Sequence, residues 1–252
     1  MRVERSYRVE AVVLRHMDLG EADRLLVLYT RERGKIRAIA KGVRRMRSRK
    51  AGHLEPFSRS ALQLASGRDL SIITQAETVD AYSSLRNDLK LMSHAAYVIE
   101  LLDRFTFEEE KSDTSLYRLL TSTLGQIAAG EDMWLVLRYY EMRLLDAMGF
   151  RPRLFQCVNC GKEIKAEDQF FSAYSGGVLC PRCGSGLPGG WKVSEEVLKY
   201  LRHFQRSTYT EAKRAQPSAE IKEKVEDLMQ QYLTYLLERR LNSPDFIRRV
   251  KA

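Results

Sequence analysis

The chain has 252 residues, of which 44% are hydrophobic, so it can bury a substantial core in one or two domains, and wholesale disorder is excluded. Its formal net charge of +9 favours a polyanionic partner, either nucleic acid or an anionic membrane surface. The membrane interpretation is the weaker one, because no apolar stretch approaches the roughly 18 residues of a spanning helix and the charge-rich N-terminus lacks the apolar region of a secretory signal, so we expect a cytoplasmic protein.

The N-terminal third of the chain is predicted to form β-strands. Residues 67–69 (Gly-Arg-Asp) form a hairpin-like turn between the last two of them. About five short strands in roughly 75 residues favour a small closed or partly open barrel, because closure removes exposed strand edges. An oligonucleotide-binding (OB) barrel is one architecture of that size. The apolar or alternating segments are 10–15, 24–30, 35–41, 60–65 and 70–78.

The remainder of the chain is predicted to be mainly helical. From about Leu85, apolar residues recur at spacings of three and four, which indicates a helix with one buried face. The other predicted helices are at about 115–129, 132–148, 194–206 and 218–241.

A segment rich in Gly, Pro and Cys, at 150–190, interrupts the helical pattern. The predicted fold class is therefore α+β. A small OB-fold-like β-barrel at 1–82 is followed by an all-α domain at 83–252, with a cysteine knuckle inserted at about 154–187.

The knuckle contains two Cys-x2-Cys pairs with nineteen residues between them. The pairs are Cys157 with Cys160 and Cys180 with Cys183. In a reducing compartment, such pairs are typical of metal sites rather than disulfides, and the alternatives are two redox dithiols or cysteines paired by chance. Two intervening residues let a tight turn aim both sulfurs at one ion, and Gly161 and Gly184 directly follow the pairs. Four thiolates close a tetrahedral shell without a position for substrate water, so we predict one structural Zn²⁺ per chain.

The basic residues are concentrated in one segment. Residues 31–50 contain ten basic residues and one acid, Glu32, so this segment alone carries +9, the net charge of the whole chain. Contacts from such cations to phosphates give affinity without sequence information, and a solvated loop without a partner is the alternative. Tyr7, Tyr29 and Phe57 are candidates either for stacking on single strands or for the barrel core. The candidate DNA-binding residues are Lys35, Arg37, Lys41, Arg44, Arg45, Arg47, Arg49 and Lys50.

Motifs typical of enzymes are missing. The sequence contains no GxxxxGK[ST] phosphate loop, no HExxH zinc-protease motif and no GxGxxG dinucleotide-binding motif. We therefore expect that the protein is not an enzyme. Three consecutive glutamates at 108–110 are interpreted as a solvated loop.

Several short segments, considered together, resemble a known family. They are Val13-Leu14-Arg15, GEADRLL at 20–26, Thr30, Gly34-Lys35, AKGVR at 40–44, Pro56-Phe57, Glu77, Gly149-Phe150, Pro152, Cys157, Cys160, Phe171-Ser172 and GGVLC at 176–180. In their order and spacing, these segments resemble the sequence pattern of the bacterial RecO proteins over roughly residues 7–190. Some members of that family lack the cysteines, so the zinc prediction rests on the spacing in this sequence.

The resemblance implies a function in DNA repair and homologous recombination. It implies an OB barrel, a helical domain and a zinc knuckle, binding to single- and double-stranded DNA, and annealing of complementary strands. It also implies a complex with RecR that helps to load RecA onto strands coated by the single-stranded-DNA-binding protein (SSB). A RecF-like partner is left open, and the implied location is the cytoplasm, in association with the nucleoid.

The resemblance further implies that the helical domain captures the acidic, apolar C-terminal tail of SSB. A tail that ends in a carboxylate needs a cation beside an apolar pocket. The candidates are Arg138, Arg143 and Leu145 on the predicted helix 132–148, and a helix with one packed face and one solvated basic face is the alternative.

Two other classes of function remain as alternatives. A zinc-ribbon transcription or RNA-binding regulator would use the same basic segment and the same cysteines, but it would prefer particular sequences. A nuclease would cut a labelled strand in the presence of magnesium.

Overall fold

The structure is a computed structural model that describes residues 5–108, 113–187, 189–238, 241–244, 247 and 250. By internal contacts the chain divides into two compact units. The barrel unit comprises Met1–Glu131 with Asn242–Ala252, and the knuckle unit comprises Asp132–Leu241. In the described part of the chain, no helix is both long and apolar enough to cross a bilayer.

Five strands of the barrel unit form a closed barrel, as the strand pattern predicts. Their order around the barrel is β1-β2-β3-β5-β4, and neighbours are antiparallel except for β3 and β5. The parallel pairing of Ala38 with Ser71 and of Ile39 with Ile72 closes the barrel, so that these strands have no long free edge. The strands are β1 Ser6–Leu19, β2 Asp23–Thr30, β3 Gly34–Ala40, β4 Arg59–Ala65 and β5 Ser71–Asp80.

The barrel core follows from alternation along the strands. In β4, every second residue is buried, and Leu62 and Leu64 are fully enclosed. Each such leucine contributes about 1.5–3 kcal/mol through burial. Val43 and Leu54, from the connection between β3 and β4, also belong to this core. Both ends of that connection are therefore held against the barrel.

Among the described residues between 81 and 131, three α-helices follow the barrel strands, and two of them begin at an aspartate cap. The Asp88 carboxylate accepts hydrogen bonds from the backbone of Lys90 and Leu91, and Asp113 accepts one from Ser115. These caps satisfy amides that have no partner within the helix. The helices are α1 Ser83–Asn87, α2 Leu89–Phe105 and α3 Thr114–Ala128. The predicted domain boundary at residue 82 lies just after β5 and before these helices, and it remains a prediction.

The knuckle unit combines helices with a small antiparallel sheet of order β7-β6-β8, which the sequence pattern did not predict. Phe171 of that sheet is fully buried, with its ring 5.9 Å from Trp191 and 5.2 Å from Tyr232. The elements are α4 Met133–Ala147, β6 Gln169–Ser172, β7 Gly177–Leu179, α5 Pro181–Gly184, β8 Trp191–Val193, α6 Glu195–Arg206, α7 Tyr209–Ala212 and α8 Ala219–Leu237. The last predicted helix extended to Leu241, and residues 239 and 240 lie outside the described residues.

Candidate metal centre and nucleic-acid interface

The four cysteines of the knuckle form a compact cluster. All four Sγ atoms lie within 4.8 Å of one another, and the Sγ atoms of Cys160 and Cys180 are 3.9 Å apart. Tetrahedral zinc with Zn–S bonds of about 2.3 Å requires sulfurs about 3.8 Å apart. The donor set therefore fits one Zn²⁺, and four protein ligands leave no open position for catalysis.

The two turns that bring the sulfurs together are built differently. In the first, Gly161 has φ +72 and its amide donates to the carbonyl of Cys157, so this glycine permits the turn as predicted. In the second, the amides of Cys183 and Gly184 donate to the carbonyl of Cys180 within α5. Gly184 is needed for a different reason, because a Cβ atom there would lie 2.5 Å from the Phe170 side chain.

Hydrogen bonds prepare one of the sulfurs to be a thiolate. Burial by itself would raise the pKa of Cys157, but the backbone amides of Cys160, Cys180 and Asn159 lower this pKa to about 6. At Cys183, a hydrogen bond with Asn159 lowers the pKa, but contacts with Cys180 and the other cysteine sulfurs raise it to about 11. A bound cation would remove this opposition and allow all four thiols to ionise.

The first cysteine turn is joined to the small sheet by backbone hydrogen bonds. The amide of Val158 donates to the carbonyl of Val178, and the amide of Val178 donates to the carbonyl of Arg153, each at 2.9 Å. The amide of Cys180 lies 3.4 Å from Sγ of Cys157. The metal site therefore ties residues 153–160 to the β6–β7 hairpin.

The predicted DNA-binding cation Lys35 lies inside the barrel unit. Its Nζ atom is 2.5 Å from Oδ1 of Asp103, and it donates to the carbonyl oxygens of Asp103 and Thr106 at 2.6 and 3.1 Å. The side chain is only 10% exposed. Lys35 therefore caps the C-terminal end of α2, where the partial negative charge of the helix favours a cation.

Two further candidates from the basic segment are also engaged by the protein. Arg37 forms an ion pair with Glu108, with Nε 2.8 Å from the carboxylate. Lys50 donates to the carbonyls of Ile73 and Lys41 at 2.9 and 3.2 Å. Burial lowers the pKa of Lys50, and Asp23 partly opposes that shift. Glu108 is exposed, in agreement with the interpretation of residues 108–110 as solvated, although its carboxylate pairs with Arg37; residues 109 and 110 lie outside the described residues.

The other five candidates face solvent on a segment that we name the arginine loop, residues 41–50. They are Lys41, Arg44, Arg45, Arg47 and Arg49. Arg44 lies 3.3 Å from the carboxylate of Asp18, and the other four form no ion pair with any residue that the structure describes. The loop backbone is anchored, because the amide of Gly42 donates to Asp23 and that of Arg44 donates to the carbonyl of Ala22. Five cations are thus presented together from a fixed base.

The aromatic candidates occupy less accessible positions. Tyr29 is buried in the barrel unit, with 3% of its surface exposed. The ring of Tyr7 is covered by the guanidinium of Arg33, 3.6 Å from the ring centre, and its hydroxyl contacts Ser71. Phe57 is partly buried and has φ +70, a strained backbone conformation for a residue with a side chain.

Comparison with known proteins decides the family. Residues 1–82 match the family model described as Recombination protein O N terminal, and residues 86–245 match Recombination protein O C terminal. The chain belongs to the RecO family. It is 38% identical to DNA repair protein RecO of Roseiflexus sp. (strain RS-1) over 97% of this chain and 86% of the relative. It is also 35% identical to DNA repair protein RecO of Desulforamulus reducens, over 97% of this chain and 94% of the relative. The identity to DNA repair protein RecO of Bifidobacterium adolescentis is 36%, over 94% of this chain and 97% of the relative.

The RecO family is a family of DNA repair proteins and is not a known enzyme family. Its N-terminal model covers the closed barrel, and its C-terminal model covers the cysteine cluster. This agrees with the OB-like barrel and the knuckle that the sequence predicts.

The residues predicted to hold the SSB tail lie in the knuckle unit of this RecO-family chain, and two of them are buried. Arg138 is 3% exposed, with its guanidinium 2.5 Å from the carboxylate of Glu141, and Leu145 is fully enclosed. The Arg143 guanidinium caps the C-terminal end of α6 by donating to the carbonyls of Phe204, Gln205 and Ser207. The role of these residues in tail binding stays a prediction.

The groups that neutralise part of the basic segment in this RecO-family protein lie far from it in the chain. Lys35 bonds to residues 68 and 71 positions later, and Arg37 to a residue 71 positions later. No local pattern reports a pairing over that distance. The run of glutamates at 108–110 was the one available signal, because acids near a basic strand often pair with it.

Proposed function

We propose that this protein is a non-enzymatic DNA repair and recombination mediator that binds single- and double-stranded DNA through the arginine loop and anneals complementary strands. The observation that carries the proposal is the set of five solvent-facing cations on one anchored loop, with Asp18 as a nearby acid. Phosphates are the ligands that such a set suits, and they carry no sequence information. Annealing needs no chemistry, because a cationic surface that holds two strands reduces the repulsion between their phosphates.

The proposed cofactor is one structural Zn²⁺, held by Cys157, Cys160, Cys180 and Cys183. When bound, the ion supplies a tetrahedral crosslink between the two turns and takes no part in a reaction. The proposal is supported by the sulfur spacing and by the amides that favour the Cys157 thiolate. The arginine loop belongs to the other unit, and we assign the zinc a structural role within the knuckle unit.

The proposed partners are RecR, the acidic tail of SSB and, through them, RecA, with a RecF-like protein left open. The proposed location is the cytoplasm, in association with the nucleoid. Arg138 and Leu145 are buried and therefore offer little surface to the tail. A cavity of about 1110 Å³ beside α6, also in the knuckle unit, is lined by exposed cations that the tail could contact. Lys199, His203, Arg206 and Arg214 line it, together with Glu195, Glu196, Glu211 and Asp168. Because four carboxylates also line this cavity, the tail would have to place its own carboxylates against Lys199, Arg206 and Arg214.

Strand annealing in the presence of SSB tests the proposal. Two complementary labelled strands, each coated with SSB, should anneal faster with the protein than without it, and no nucleotide should be needed. Strands of several unrelated sequences should anneal equally well. A strong preference for one sequence would instead favour a zinc-ribbon regulator, and cleavage of the strand in magnesium would favour a nuclease. Failure to anneal any strand would refute the mediator function.

A further inference from the structure

Met46 occupies the tip of the arginine loop. The amide of Ser48 donates to the carbonyl of Arg45 at 2.9 Å, which closes a turn with Met46 and Arg47 at its two corner positions. Met46 is fully exposed, and no other large hydrophobic residue that the structure describes is exposed to the same extent. The side chain therefore projects into solvent from a turn that is fixed at its base.

Isolated exposed hydrophobic residues are common, so exposure alone does not assign a binding role to Met46, and the residues around it must be considered. Leu89 on α2, for example, is 54% exposed and therefore still partly covered by its own unit. Met46 is uncovered, and arginines precede and follow it directly in the chain. A polar residue would be expected at the tip of such a loop if its sole role were to remain hydrated.

We propose that Met46 contacts the face of an unpaired nucleobase in a single strand whose phosphates are bound by the neighbouring arginines. The proposal rests on the proposed DNA-binding function and deepens it. A strand held by its phosphates presents its bases beside the backbone, within the zone that the tip of the loop occupies. Methionine is unbranched and polarisable, and its sulfur makes favourable contacts with aromatic rings, so it can adapt to any base.

This contact is compatible with annealing because it leaves the hydrogen-bonding edge of the base accessible. A side chain on the face of a base does not occupy the hydrogen-bonding edge, so that edge remains available to a complementary strand. Insertion into a paired duplex would require unstacking two base pairs, which costs more than one thioether contact returns. The inferred target is therefore an unpaired base, and the contact should be released as pairing restacks the strand.

The test compares Met46→Ala and Met46→Leu with the wild-type protein on a fluorescent single strand that contains 2-aminopurine, over a series of salt concentrations. Met46→Ala should weaken single-strand binding about two- to tenfold, the range expected for a sulfur–ring contact. Its log–log salt slope should remain that of the wild type, because no phosphate contact is lost. The change in 2-aminopurine fluorescence on binding should shrink, and Met46→Leu should retain most of both signals.

Two controls keep this inference separate from the DNA-binding proposal. Leu89→Ala removes an exposed apolar side chain that lies outside the arginine loop, and it should change neither affinity nor fluorescence. A fully paired duplex should bind Met46→Ala as tightly as it binds the wild type. If Met46→Ala bound the single strand as tightly as the wild type, or lost equal affinity for both DNA forms, the assignment of Met46 to an unpaired base would be overturned. Absence of DNA binding by the wild type would instead refute the proposed function.

Discussion

Lys35 of β3 and Asp103 of α2 form a largely enclosed ion pair within the barrel unit, with 2.5 Å between Nζ and Oδ1 and side chains that are 10% and 19% exposed. Arg15 donates to the other carboxylate oxygen of Asp103 at 2.9 Å. The carboxylate therefore ties two strand residues to the last turn of α2, and the pair is a structural contact.

Replacing Lys35 with Met should accordingly lower the free energy of unfolding and leave DNA binding unchanged. The loss should be about 2–3 kcal/mol, because the carboxylate and two carbonyl groups lose a charged hydrogen-bond donor. Arg37→Ala is the matched control, since its pair with Glu108 is exposed and should contribute less than about 1 kcal/mol. Urea unfolding and a salt titration of DNA binding measure the two effects. If the Lys35→Met protein had normal stability and its DNA affinity depended less steeply on salt, Lys35 would instead be a DNA-contacting residue.

Stability should fall in acid, below about pH 4, because of the same carboxylate. Burial acts to raise the pKa of Asp103, but hydrogen bonds from Lys35 and Arg15 hold this pKa below its ordinary value of 3.8. A lowered folded-state pKa means that the stabilisation is complete above the unfolded-state pKa, about 3.9, and is lost as the pH falls through the folded-state pKa. Unfolding free energies measured from about pH 6 downward should therefore drop below about pH 4. Asp103→Asn should be less stable near neutrality and show a flatter profile, and identical profiles would contradict this role.

Freshly purified, reduced protein should contain about one zinc ion per chain. Cys180→Ser should lose the metal and destabilise the knuckle unit, because the bound ion holds residues 153–160 against the β6–β7 hairpin. DNA affinity should change little, since the arginine loop belongs to the barrel unit. Metal analysis, thermal unfolding and DNA titration measure these three outcomes. Cys183→Ser serves as a second variant, and full-length protein without zinc but with wild-type thermal stability would contradict the structural role.

Removal of arginine-loop cations should make DNA binding less sensitive to salt. With about five phosphate contacts, the slope of log affinity against log salt should be roughly −3.5 for single strands and −4.5 for duplexes. Combined replacement of the four arginines of the loop by Ala should make it shallower by about 3 and slow annealing, with equal effects on unrelated sequences. The four arginines are Arg44, Arg45, Arg47 and Arg49.

A charge-matched control separates the loop from net charge. Replacing four exposed lysines of the knuckle unit by Ala removes the same total charge and should leave the slope near its wild-type value. They are Lys162, Lys165, Lys192 and Lys224. Equal losses in both variants would show that overall charge, and not the arginine loop, determines DNA affinity.

The sequence by itself determined the features that depend on near neighbours. Two Cys-x2-Cys pairs produce two local turns, and the alternation in β4 follows from its seven residues alone. The capping aspartates Asp88 and Asp113 act within three residues. The helix periods were long enough to recognise, whereas β7 and β8 have only three residues each, too few to show a period.

Only the tertiary structure decided which cations remain free and which residues are accessible. The sequence does not separate Lys35, Arg37 and Lys50 from the other cations of the basic segment, but the fold places carbonyls or a carboxylate beside each of these three. Arg45 and Arg47 form no ion pair with any residue that the structure describes. Arg138 likewise lies on a helix whose buried face includes charged residues, so its pattern does not reveal its burial. The physical reason is distance along the chain: a charge is neutralised by whatever group packs beside it, and that group can be about 70 residues away.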